Sequence, residues 1–172
     1  MAIHAMIAAV VFGLTFPFGA VAQQKPQLSA GVQKDLANSK AHYDNEKDAV
    51  GRAKALGNLG RAEVRAAREM TNAGDFDAAL QYLKEYDGQA HERHDALLKT
   101  GVNAENHSGG FRQLQISVRE SMRAVREVAG QVPYAQRQPF DAQRQDLEDL
   151  NQQLILELFP RRPGHKPEKE NR

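Results

Sequence analysis

Read for its apolar positions, the chain divides into one apolar lead and a body with helical periodicity. Residues 1–22 carry no Lys, Arg, Asp or Glu and run apolar through Ala5–Phe16. From Ser29, apolar side chains recur three and four residues apart at Val32, Leu36, Tyr43, Val50, Ala53, Val64, Ala67 and Met70. That is the spacing of one helix face, and Gly74 closes it. Gly57 and Gly60 interrupt this run, each costing about 1 kcal/mol relative to Ala in a helix interior. Two readings stay open: a break near 57–60, or one long helix thinned there so that a neighbour can approach closely. The seven-residue, coiled-coil-like phase of Leu36, Tyr43, Val50, Gly57 and Val64 runs through unbroken and favours the long helix.

Asp75 stands where an N-cap is needed, and Phe76, Ala79, Leu80, Leu83, Tyr86, Ala90, Leu97 and Leu98 mark a second helix ending at Gly101. A polar connection then runs to Gly110, with Asn103 as an alternative, earlier helix start. Phe111, Leu114, Val118, Met122, Val125 and Val128 form the third stripe, stopped by Gly130 and Pro133. The fourth has Pro139 in its first turn and Phe140, Leu147, Leu150, Leu154 and Leu158 on one face, ending at Pro160. No strand-type alternation follows the apolar lead. The expected fold is all-α, an antiparallel bundle of about four helices over 29–159.

The lead reads as a secretory signal peptide over 1–22, since Pro17 breaks it and Ala20-Val21-Ala22 supplies an A-x-A cleavage site. His4, Gly13, Thr15, Pro17 and Gly19 dilute it as a membrane anchor, so contact with the membrane is expected only in transit. Residues 23–28 are a polar leader. The last segment, 160–172, holds Arg161, Arg162, Lys166, Lys169 and Arg172 against Glu168 and Glu170, has three prolines, and is expected to remain a disordered basic tail. The expected location is periplasmic or extracellular.

Charge changes the picture more than overall composition does. The net charge is +1, but two basic stripes stand out: Lys54, Arg61, Arg65 and Arg68, and then Arg112, Arg119, Arg123 and Arg126. Segment 75–95 is acidic, with Asp75, Asp77, Glu85, Asp87, Glu92 and Asp95. Neutralisation of the stripes by this segment, with local Glu120–Arg123 and Arg123–Glu127 pairs, is the plain structural expectation. The functional expectation is that Arg112, Arg119, Arg123 and Arg126, or the aromatic hairpin surface of Phe76, Tyr82 and Tyr86, binds another envelope or extracellular protein. Nucleic acid is not expected, because no aromatics interleave the arginines and the domain is not strongly basic.

Candidate chemistry is sparse. There is no cysteine, which removes disulfides, thiolate catalysis and thiolate metal sites. His91 and His94 share a helix face and are the candidate metal ligands, but a third ligand would have to come from His42, His107 or a distant carboxylate. No Glu precedes a His by three residues, so the paired-carboxylate metal motif of helical bundles is missing. None of the serines lies in a Gly-x-Ser-x-Gly turn. The expectation is a non-catalytic interaction, scaffold or chaperone-like protein without a cofactor, with a small-ligand or metal-binding bundle as the alternative.

One segment, 57–90, resembles a tetratricopeptide repeat. Ala67, Gly74, Phe76, Ala79 and Leu83 occupy its small, turn-glycine, aromatic, small and apolar positions, while Glu63 stands at its opening Trp and Tyr86 at its late small residue. The resemblance covers one repeat and implies a helix hairpin of the kind that binds proteins or peptides.

Overall fold

The computed structural model describes residues 26–160; the signal-peptide reading and the basic tail lie outside the described residues. Five helices follow in order: α1 (Ala30–Asn45), α2 (Ala49–Asn72), α3 (Phe76–Lys99), α4 (Gly109–Gln131) and α5 (Gln138–Leu158), with a 3-10 turn at Tyr134–Gln136 before the last. The described residues contain no strand. An all-helical bundle is therefore the fold, with one helix more than the stripes suggested.

The extra helix comes from a reversal at Glu46-Lys47-Asp48. Glu46 turns extended, and Asp48 caps α2 by accepting from the Gly51 N–H at 2.7 Å. Arg52 Nε donates to the Glu46 carbonyl at 2.7 Å and pins the corner. The chain then folds back on itself: the Ser29 N–H donates to Glu69 Oε1 at 2.7 Å, and Arg65 pairs with Asp35. A continuous 30–72 helix is thus corrected to an antiparallel α1/α2 hairpin.

Within α2 the helix does pass unbroken through Gly57 and Gly60, and the close-approach explanation holds. A Cβ at Gly60 would enter the Tyr86 ring of α3, and one at Gly57 would meet Ser117 of α4 at 3.9 Å. The α2/α3 corner follows the sequence signals closely. Gly74 takes φ +79°. Its N–H donates to the Thr71 carbonyl while that of Asp75 reaches back to Met70, an arrangement that satisfies the open carbonyls at a helix end. Asp75 then caps α3 by accepting from the Ala78 N–H at 3.0 Å. Residues 101–108 form a turn rather than a helix, with the Asn103 side chain accepting from the Glu105 and Asn106 N–H groups.

Sequential helices run antiparallel, but the closest packing of α4 is against α2, to which it is parallel. The register is visible in the cross-helix pairs, Arg61 with Glu120 and Arg68 with Glu127, which advance together by seven residues. α3 and α5 are likewise parallel neighbours, with Phe76 and Phe140 at one end and His94 and Glu157 at the other. α3 and α4 face each other across the core through the Tyr86 and Ser117 hydroxyls, 2.9 Å apart. Leu56, Leu59, Leu83, Leu114, Val118, Leu147, Leu150 and Leu154 fill the interior, all essentially unexposed. Each such side chain is worth about 1.5–3 kcal/mol in burial.

Candidate functional site

The helical spacing of Arg112, Arg119, Arg123 and Arg126 puts the four guanidinium groups on one side of α4, turned away from its buried stripe of Leu114, Val118, Val125 and Val128. All four are exposed, and none forms an ion pair among the described residues. The expected local pairs Glu120–Arg123 and Arg123–Glu127 are not formed. Glu120 and Glu127 instead reach over the parallel neighbour: Arg61 Nη1 donates to Glu120 Oε2 at 3.2 Å, and Arg68 Nη2 to Glu127 Oε2.

The two arginine stripes therefore have different fates. On α2, Arg61, Arg65 and Arg68 each hold a carboxylate from α4 or α1, while Lys54, the first member of that stripe, is exposed and forms no ion pair among the described residues. The partners are not those of segment 75–95, which corrects the expectation that α3 would neutralise the stripe. Such exposed pairs stabilise by about 0–1 kcal/mol each and mainly set register. On α4 the arginines are left to solvent.

The aromatic half of the expected surface is corrected at Tyr86. That residue is wholly buried, its ring against Gly60, and burial pushes its hydroxyl up to about 12. Phe76 and Tyr82 are half-buried. Phe76 borders a cleft of about 880 Å³ with Leu80, Pro139 and Phe140, and Tyr82 a groove of about 810 Å³ with Leu28, Leu36 and Met70. The hairpin presents edges of packed rings rather than an aromatic face.

The two candidate metal ligands are engaged separately. His94 Nε2 lies 2.8 Å from Glu157 Oε1 on α5, in a buried position, while His91 Nε2 is 3.7 Å from Asp87 Oδ1 on its own helix. Burial pushes Asp87 up to about 6, with His91 lowering it and Asp146 raising it. Among the described residues no group of three or more His, Asp or Glu is arranged to hold a metal ion. His42 and His107, the other histidines considered, are exposed on α1 and in the 101–108 turn.

Glu63, notable in the sequence only as a departure from the repeat pattern, has a more unusual setting than that position implies. It lies on the core side of α2, 2 % exposed, with Oε1 accepting from Gln89 Nε2 at 3.3 Å and Oε2 without a partner. Loss of hydration pushes its carboxyl up to about 8; Glu85 of α3 adds to the rise, and Gln89 and Lys40 of α1 oppose it. The signal was present, since Leu56, Gly60, Glu63, Ala67 and Met70 share one helical face and all are buried. Gly57, Gly60, Ser117, Ser121 and Ala124 line a small crevice of about 220 Å³ between α2 and α4.

The fold and the surface together define a small, charge-patterned, all-helical bundle whose unpaired row of arginines, among the described residues, is on α4. No family model matches the chain, and no curated protein or solved structure matches it either.

Proposed function

We propose that this is an exported, non-catalytic interaction protein, a scaffold or chaperone-like component of the envelope or extracellular space, that binds an acidic protein through Arg112, Arg119, Arg123 and Arg126. The observation that carries the reading is the contrast between the two stripes. On α2, Arg61, Arg65 and Arg68 each have a carboxylate within reach; the four arginines on α4 form no ion pair among the described residues and stand exposed. A row of four like charges on one face is mutually repulsive, and an acidic partner relieves that repulsion.

The test is capture from an envelope extract. The wild-type chain is expected to retain a partner at low salt and release it at moderate salt, because exposed charges are screened over about 8 Å at physiological ionic strength. Charge reversal in an Arg119→Glu, Arg123→Glu variant is expected to abolish retention without changing helical content. Retention unaffected by either change removes the reading.

Export rests on the apolar lead and its A-x-A end. Among the described residues no helix is long and apolar enough to cross a membrane. The exported form is expected to begin at Gln23, as read by intact-mass measurement; a product retaining Met1 or starting elsewhere contradicts it.

A further inference from the structure

The outer face of α3 opposes the arginine row of α4 in net sign, with Lys84 the one exposed cation within it, between Gln81 and Gly88. Asp77, Gln81, Glu85, Gly88, Glu92 and Asp95 follow one another at three- and four-residue steps, and all are exposed. Arg112, Ile116, Arg119, Arg123, Arg126 and Gly130 do the same on α4, with Ile116 half-buried and the rest exposed. At a rise of about 1.5 Å per residue the arginine row is about 21 Å long and the acidic row about 27 Å. Asp77, Glu85 and Asp95 form no ion pair among the described residues, while Glu92 accepts from Arg93 Nη2 of its own helix at 2.6 Å. Asp146 of α5, also exposed, lies near Asp87 of α3 and adds to the rise that burial gives its carboxyl. Lys99 ends the α3 row.

Gly88 is a second, independent observation. It sits in the interior of α3, where Gly is disfavoured, yet a Cβ there would meet nothing within 4 Å. The contrast is with Gly60, whose missing side chain the Tyr86 ring explains. No contact within the described residues explains Gly88, and it lies in the middle of the acidic row, where it leaves a low point for another helix to approach.

We infer that the α4 arginine row of one molecule docks along the α3 acidic row of a second copy of this chain, and that the association is head-to-tail. The direction follows from the fold. Tyr86 and Ser117 turn α3 and α4 towards each other, so their outer rows look to opposite sides of the molecule and both can be occupied at once. A contact between two different surfaces on opposite sides adds copies head-to-tail, into a ring or a filament, and does not close as a two-fold dimer does. The net charge of +1 offers little overall repulsion against assembly, although the local charges are segregated. This inference rests on the reading of the α4 row as a binding face and names its partner.

Sedimentation velocity of the purified protein tests it. At low salt, about 20 mM, the weight-average mass is expected to rise with concentration, and at about 0.5 M it is expected to return to monomer as the screening length shortens. Arg119→Glu with Arg123→Glu, and separately Glu85→Lys with Glu92→Lys, are each expected to weaken association by about tenfold or more. Mixing the two variants restores it, because a reversed α4 row then meets a reversed α3 row. Gly88→Gln, which fills the low point in an exposed helix, is expected to raise monomer stability while weakening association, separating assembly from folding. A protein monomeric at every concentration in low salt overturns the inference, as does a mixture of variants that fails to associate. If that monomer still captures an acidic protein through Arg119 and Arg123, the binding-face reading stands and the self-docking does not; if it captures none, both fall.

Discussion

Glu63→Gln is expected to remove a loss of stability that the wild-type protein suffers as the pH rises from about 5 to 9. The Glu63 carboxyl is 2 % exposed, and its ordinary value of 4.5 is pushed up to about 8. Between those values the folded chain holds a proton that the unfolded chain has given up, so folding takes up a proton and stability falls as the pH rises. A rise of this size corresponds to a cost on the order of 5 kcal/mol above pH 8. Dehydration decides the sign. The attraction of Lys40 and the hydrogen bond from Gln89 are too weak to offset it, and Glu85 works in the same direction as burial. The amide of the variant is neutral at every pH, and its carbonyl oxygen can still accept from Gln89. Urea unfolding at pH 5, 7 and 9 is expected to show near-equal stability of the two chains at pH 5 and a variant more stable by several kcal/mol at pH 9. Asp87, pushed up to about 6, adds a loss of the same sign but completes it at lower pH. Parallel stability profiles for the two chains would show that Glu63 is hydrated in the folded protein.

The second large effect separates two glycines that the sequence presents as equivalent. Gly60→Ala is expected to destabilise by about 1–3 kcal/mol, because its Cβ enters the Tyr86 ring and overpacking outweighs the gain in helix propensity. The ring has little freedom to withdraw: it is fully buried and its hydroxyl is held to Ser117 at 2.9 Å. Gly57→Ala, whose Cβ would meet Ser117 at an ordinary 3.9 Å, is expected to be neutral or to gain up to about 1 kcal/mol. Denaturant unfolding of both variants settles it. Equal stabilisation of the two would mean that α2 and α3 are further apart than the Tyr86 contact requires.

These two residues also show where the sequence could and could not be read. Gly60 was legible as a place of close approach because the apolar phase continued across it. The same continuity concealed the reversal at Glu46–Asp48, since Tyr43 and Val50 keep the seven-residue step although they lie on different helices. Asp48, whose side chain accepts from the Gly51 N–H, marks the start of the second helix by its capping chemistry rather than by any change in apolar phase. The α2/α3 corner was legible because Gly74 and Asp75 each have a local role that no distant contact overrides.

Tyr86 was misplaced on the surface despite standing in phase with Ala79, Leu83 and Ala90, all of which are buried. Its aromatic character suggested a contact residue, whereas Gly60 opposite it had already made room in the core. The carboxylate partners of Arg61, Arg65 and Arg68 were not legible at all. Two of them depend on α4 lying parallel to α2 and the third on the α1/α2 reversal, and neither arrangement leaves a mark in local spacing. The α4 row needed no such knowledge, because three- and four-residue spacing alone puts four arginines on one face.

The most direct measurement of the central claim is arginine-specific chemical footprinting, read by mass spectrometry, on the free protein and on its partner-bound or assembled form at low salt. Arg119 and Arg123 are expected to lose reactivity on binding, while Arg61 and Arg68, already paired on the neighbouring helix, change little. Unchanged reactivity at Arg119 and Arg123 in a demonstrably bound sample would contradict the assignment of α4 as the face through which this protein acts.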